Sequence, residues 1–569
     1  MSASWKNRWW IWAAIALTLA KLWLTRGQAI FAIGTAEHDD RLFMNLANAL
    51  VSGDWLGPYN QLTLAKGPFY SLWIAFVFLL GLPLGFAQQL AYAGACAAVV
   101  RALAPLVRGG GARLAVYAVL LWNPMSFEAS SLGRVLRQHI STPLALLIFA
   151  GLIALYARRA GPFRRLAPWA ALFGAAFAAL WMTREDVVWI VPSVVLLAGA
   201  VVVALVRARP VPRRPMAWAG GLALVCAAVP MFIVCAENAR HYGWFGTVEF
   251  RSSEFKDAYG ALLRVRAGPD LPFVPVTRQM REAAYPVSPT FALLRPHLDG
   301  PIGEGWAGAS SFVTHIPSEE RQIGGGWFMW ALRDSVKAAG YCHDADQAMA
   351  FYHRLAMEVN QACDDGRILA GPRRSGFLPP WRAGLTREWL AATVEFTDFL
   401  VSFRGFSAYP PASIGDHDAL QIFLDLSRDN LAPSPALDPP LPRQGALDSW
   451  KLSVLQMIGK VLRHILLWLA IAAQLVAFLR AGHLVWQRRL TFPIVLAAAA
   501  WGACAAIVLL GALVHITSFP SLSVTYLDSA YPMLLLFVIA VFWDVGTDWR
   551  SFSRAARPPT TPPAAAPAG

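Results

Sequence analysis

The stretch GTAEHDDRLFMNLANALVSGDWLGPYNQLTLAKGPFYSLW, residues 34–73, follows the first long apolar run and sets Glu37, His38, Asp39 and Asp40 at what reads as a lipid boundary. The boundary is implied by the rest of the chain. Of its 569 residues, 56% are hydrophobic and only 15% are charged, and the mean hydropathy is +0.45. Apolar runs of roughly 18–25 residues recur, the length that crosses a bilayer. They lie near 9–32, 68–85, 87–107, 113–128, 140–157, 166–182, 187–206, 216–236, 462–480, 491–514 and 524–543. The expected fold class is an all-α polytopic membrane protein, because the strands of a membrane barrel would alternate in polarity.

The net charge of +14 does not point to nucleic acid. Its arginines sit in short clusters between apolar runs, YARRAGPFRR, VRARPVPRR and QRR, where they read as topology determinants. The first run is too long and too aromatic for a cleaved signal peptide and is taken as a retained helix. With Lys6 and Arg8 inside, the basic loops 108–113, 158–165, 207–214, 480–489 and 550–557 share that side only if one run between 67 and 108 fails to span. The run 68–85, shorter and interrupted by Pro83, is assigned to the interface or to a re-entrant path.

The expectation is then about ten spanning helices with both termini inside. Residues 1–236 form an N-terminal membrane module whose outer loop, 34–86, carries juxtamembrane helices. Residues 237–450 form a mixed, mostly helical outer domain between helices 7 and 8, and 451–545 return to the membrane. LAPSPALDPPLPRQ reads as the linker back, and 546–569, ending RPPTTPPAAAPAG, as a disordered cytoplasmic tail. No internal repeat is visible. The alanine- and arginine-rich composition suggests a bacterial inner membrane with a periplasmic 237–450 domain. Four of the six cysteines lie in or beside apolar runs; Cys342 and Cys363 lie in the polar region, lack zinc-site spacing, and are expected to form a disulfide outside the cytoplasm.

Within the opening stretch, Leu42, Phe43, Leu46, Ala49 and Leu50 share one helical face. A carboxylate at Asp39 or Asp40 could simply cap that helix. Lys66, however, stands next to a rigid Gly-Pro before the interfacial segment. A carboxylate pair and a lysine meeting at the membrane surface suit chemistry on a lipid phosphate: the acid takes a proton from an attacking hydroxyl, and the lysine holds the phosphate that leaves.

The stretch resembles the first outer loop of the GT-C membrane glycosyltransferases, in particular the protein mannosyltransferase and aminoarabinose transferase branch. The resemblance rests on Asp39-Asp40, the 41–51 helix, the Gly53-Asp54-Trp55 turn and Lys66-Gly67-Pro68, where the family more often carries Asp-Glu and Lys-Pro-Pro. It covers roughly residues 35–80, and more weakly extends to about 236. It implies a GT-C-like fold, a sugar donor on a polyprenyl phosphate, and inverting transfer to an acceptor glycan, lipid or protein at the outer face. It also implies Asp39 as general base, Asp40 assisting, and Lys66 on the donor phosphate.

Other polar residues fall on the outer side by the same parity. Arg134 and Arg137, at i and i+3, form a candidate phosphate clamp or snorkel to the interface. Arg184 is a further candidate phosphate ligand, or one member of a self-neutralising turn with Glu185 and Asp186. Glu128, His38, Glu185 and Tyr526 are candidates to line the cavity, with Asp528, Glu237, Arg240 and His241 as weaker ones. A divalent ion on His38, Asp39 and Asp40 is disfavoured, since three adjacent residues do not easily face one metal. No cofactor is expected, and the partners are the lipid-linked donor, the acceptor and membrane lipids. The alternatives are a transporter or flippase of a lipid-linked saccharide, for which inverted repeats are the missing sign, and a non-catalytic scaffold.

Overall fold

The computed structural model describes residues 8–207, 213–433, 445–487 and 490–555. Among them the architecture is helical, with only isolated β-bridges. Six helices are long and apolar enough to cross a membrane: Gln138–Ala157, Val187–Arg207, Arg214–Tyr242, Ala446–Arg480, Phe492–Thr517 and Ala530–Thr547. The chain is an integral membrane protein. The first nine α-helices are α1 Trp9–Thr25, α2 Asp40–Val51, α3 Phe69–Leu79, α4 Leu84–Leu103, α5 Gly110–Leu121, α6 Gln138–Ala157, α7 Phe163–Trp181, α8 Val191–Arg207 and α9 Arg214–Tyr242.

Helix α3 has 11 residues and spans about 16 Å, half of a bilayer core. It meets α4 at 109°, with Gly81 at φ 70° in the turn between them. The first apolar run also divides. Helix α1 stops at Thr25, and residues 28–33 continue as extended chain. Ile30, Phe31 and Ile33 bridge in parallel to Leu431, Arg134 and Ile414. An apolar run buried on all sides carries no period, so 26–33 read as helix in the sequence although its backbone pairs outward.

The segment between α9 and the Ala446–Gln487 helix is not one unit. Residues 248–363 build their own core around Phe255, Tyr259, Phe328 and Tyr352. The helix Leu385–Val401 and the following segment instead bury Phe396, Phe403 and Phe423 in the core of the membrane helices. Trp389 Nε1 donates to the Leu509 carbonyl at 2.9 Å, fixing that attachment. Two further expectations need correction. The last helix, Ala530–Ala555, runs through half of the expected disordered tail, while residues 556–569 lie outside the described residues, as does most of the linker, 434–444. Cys342 and Cys363 are free thiols. Cys342 precedes the helix Ala345–Asp364 and Cys363 lies in its last turn, so nearly the whole length of the helix, about 30 Å for 20 residues, stands between them, far beyond the separation a disulfide bridges.

Candidate active site

The extended segment at 28–33 aligns the site. Phe31 N–H donates to the Gly133 carbonyl at 3.1 Å, and Gly34 N–H to that of Ile414 at 2.7 Å. The first pairing lays Arg134 beside the start of α2. Asp39 occupies the N-cap position of α2, yet its side chain makes no capping hydrogen bond. It pairs instead with Lys66 Nζ, and Arg134 Nη2 lies 3.9 Å away. Asp40 is fully buried and accepts from Arg134 Nε, at 2.9 and 2.7 Å to its two oxygens, with Nη2 at 2.5 Å.

The two adjacent acids therefore differ in use. Asp40 locks the Arg134 guanidinium from inside. Asp39 leaves 46% of its side chain accessible. Burial alone would raise the Asp39 carboxyl, but Lys66 and Arg134 outweigh it and hold the group below its ordinary value. Burial pushes Asp40 up to about 6 against the pull of Arg134. Lys66 is nearly buried, its ammonium 5.3 Å from the Phe43 ring centre and 5.4 Å from that of Trp330. Burial, seconded by Arg137, lowers its pKa against the opposing effect of Asp39.

A second layer of charge comes from the 183–186 turn. Glu185 accepts from Arg137 Nη1 at 2.7 Å and from the Gly67 N–H at 3.1 Å. Arg184 pairs with Asp186 at 2.7 Å and with Asp528 at 3.2 Å, and Ser141 and Thr142 each donate to Asp528 at 3.0 Å. Burial opposes ionisation of Asp186, but Arg184 wins and draws its pKa down to about 2. Arg251 Nη1 donates to the Trp181 carbonyl at 2.8 Å, and Nη2 donates to the Arg184 carbonyl, closing the turn from the 248–363 segment. Tyr526 borders the same charges; burial, with Asp39 next, raises its hydroxyl to about 12. Five cations, Lys66, Arg134, Arg137, Arg184 and Arg251, thus meet five carboxylates, Asp39, Asp40, Glu185, Asp186 and Asp528.

Gly67 is fixed by backbone approach. A Cβ there would lie 1.9 Å from the Met182 carbonyl oxygen, and a proline would also delete the N–H that Glu185 accepts. The Gly53-Asp54-Trp55 turn ends α2 with Gly53 at φ 88°, and Trp55 Nε1 donates to Asn238 of α9 at 2.8 Å.

Not every candidate joins the cluster. Glu128 is buried and accepts from the backbone N–H groups of Ser130, Ser131 and Leu132, which makes it a loop fastener. Glu237, Arg240 and His241 pair among themselves on the accessible end of α9. His38 turns away from Asp39, lying edge-on to Trp306 and Trp330 with Nε2 3.6 Å from Asp334. His38, Asp39 and Asp40 thus face three different partners. Sequence reasoning missed Arg251, Trp306, Trp330 and Asp334. The arginine stood in a stretch read for its neighbours Glu237–His241, and the other three lie on outer helices without a motif.

No family model and no curated protein matches the chain. Among solved structures it is similar to ArnT from Cupriavidus metallidurans in the apo state, at 13% identity over 97% of this chain and 81% of that one, with a TM-score of 0.31. It is likewise similar to ArnT from Cupriavidus metallidurans bound to undecaprenyl phosphate, at 13% identity over 98% and 82%, with a TM-score of 0.29. Similarity at such scores carries no argument about activity.

Proposed function

We propose that the chain is a GT-C-type glycosyltransferase that moves a sugar from a polyprenyl-phosphate donor to an acceptor glycan, lipid or protein at the outer, periplasmic face of a bacterial inner membrane. The observation that supports it is the accessible Asp39 carboxylate set among Lys66, Arg134 and Arg137 at the level where α2 and α3 meet the membrane helices. In this reading the acceptor hydroxyl oxygen attacks the anomeric carbon while the bond from that carbon to the phosphate oxygen breaks. The electron pair leaves on the lipid phosphate, and the hydroxyl proton passes to Asp39. One displacement inverts the anomeric configuration. Lys66, with Arg137 behind it, neutralises the leaving phosphate without a metal ion being required. Arg134 and Arg184, held by Asp40 and by Asp186 with Asp528, brace the charged groups around Asp39. Because Lys66 is also the partner of Asp39, a phosphate that draws the lysine away leaves the carboxylate more basic as the acceptor arrives.

The test is mass spectrometry of envelope glycans and lipids from cells with the wild-type gene, with Asp39→Asn, and with none. A sugar adduct present with the wild type and absent in the other two supports the reading. An adduct that persists with Asp39→Asn overturns Asp39 as the base, and an unchanged glycan and lipid profile in the deletion overturns the transferase itself.

A further inference from the structure

At the opposite end of the bundle from the charged cluster, a groove of about 690 Å³ opens between α8 and the start of the Phe492–Thr517 helix, a volume typical of a ligand site. Its placement follows from helix length. Helix α6 begins at Gln138, next to Arg137, and reaches the groove at Tyr156, about 27 Å further along. Helix α8 likewise begins beside the 183–186 turn and contributes its later turns. The floor is Tyr156 stacked on Phe492, with ring centres 3.7 Å apart. The walls are apolar and accessible, Val195 at 64% and Val203 at 48%. Gly199 faces open space, with no atom within 4 Å of where a Cβ would stand.

The charged groups all lie at one end. Arg159 stacks its guanidinium 4.6 Å from the Tyr156 ring centre and donates one N–H to the Tyr156 carbonyl at 2.9 Å, leaving its remaining donors unengaged by side chains. Arg207 closes α8 at the same end. Among the described residues no carboxylate lies within ion-pair distance of either guanidinium. Asp544, which accepts from Thr491 of the groove lining, is fully buried and already pairs with Arg480. An apolar groove that ends in two cations with no carboxylate partner among the described residues matches one ligand chemistry.

We propose that this groove binds an anionic phospholipid of the leaflet opposite the catalytic cluster, with one acyl chain along α8 past Gly199 and the phosphate between Arg159 and Arg207. The site does not depend on the transferase reading.

The experiment is native mass spectrometry and thermal unfolding of the full chain in detergent, titrated with phosphatidylglycerol, with phosphatidylcholine of the same chains, or with glycerol phosphate alone. Phosphatidylglycerol is expected to bind about tenfold tighter than phosphatidylcholine and to raise the Tm, and glycerol phosphate to do neither. Arg159→Gln with Arg207→Gln should bring the two lipids to parity. Val203→Trp, which fills the groove and leaves its charge intact, should abolish the tight binding of phosphatidylglycerol and serves if the double variant does not fold. Asp39→Asn should keep the preference. Equal binding of the two lipids by the wild type, a preference that survives both groove variants, or competition by glycerol phosphate alone would overturn the proposal.

Discussion

Two regions of this molecule bury a cation against a carboxylate, and they do so differently. In the 248–363 segment Arg333 and Glu249 are 1% and 0% accessible, 2.5 Å apart; Tyr59 donates to the same glutamate at 2.6 Å, and Arg333 Nε to the Gln61 carbonyl at 2.7 Å. That pair is one to one and sealed, and it fastens the 59–61 loop to the outer helices. Where α2 and α3 meet the membrane helices five cations meet five carboxylates, and two of the acids, Asp39 and Asp186, are left about half open. A buried ion pair is expensive to desolvate and weak evidence for stability. What separates the two regions is accessibility: the Arg333–Glu249 pair is sealed, while the cluster leaves acids open.

The contrast is testable, beginning with its largest expected effect. Asp39→Asn should lower sugar transfer by about 10²–10⁴-fold, the range for loss of a general base, with only a small change in Tm. Glu249→Ala should do the reverse, costing about 3–5 kcal/mol of stability by stranding Arg333, while the folded fraction keeps its turnover. Thermal melts beside per-molecule rates decide it; if both variants lose stability alike and activity alike, the distinction collapses. Gly67→Ala is intermediate. Its methyl meets the Met182 carbonyl, so about 1–3 kcal/mol of strain should appear together with a displaced Lys66, read as a higher KM for the donor. Arg137→Lys gives up the hydrogen bond to the Thr183 carbonyl and the planar fit to Glu185, for about 1 kcal/mol or a severalfold rise in KM.

The smallest effect is a shift in pH dependence. The Asp39 pKa is depressed in the fold, so the stabilisation from its pairing is whole above the ordinary carboxylate range and is lost as the pH falls through the folded value. The acid limb of kcat/KM should accordingly lie below that range, and Lys66→Ala should move it upward. Asp186, drawn to about 2, loses its contribution between about pH 4 and pH 2, below any assay of turnover. An acid limb at the ordinary carboxylate position in the wild type would mean that Lys66 does not hold Asp39 in solution.

Much of this site was legible because its first layer lies close in sequence. Asp39, Asp40 and Lys66 belong to one loop, and the α2 face between them shows a helical period. Arg134, Arg137 and Arg184 were visible as cations on the side where cations are disfavoured. What could not be read was pairing at long range. Nothing in the sequence says that Asp40 rather than Asp39 takes Arg134, because that depends on Phe31 bonding to Gly133. Arg251 and Trp330 reach the cluster through a separately packed core. The expected disulfide shows the opposite lapse: the amphipathic run between Cys342 and Cys363 was itself a helix signal, and its length already separated the thiols.

The extended stretch at 28–33 has a consequence for biosynthesis. It leaves the ribosome long before its partners, for Ala32 N–H bonds to Ser413 Oγ across 381 positions, and Ile30 pairs with the extended segment at 430–432. At roughly 5–20 residues per second, those partners emerge about 20–80 s later. Until then nothing on that side registers Gly34 and the loop it opens, so the alignment of Asp39 belongs to a late stage of the nascent chain's maturation. A chain that stalls before position 414 would hold three of the six long apolar helices and remain without an assembled centre.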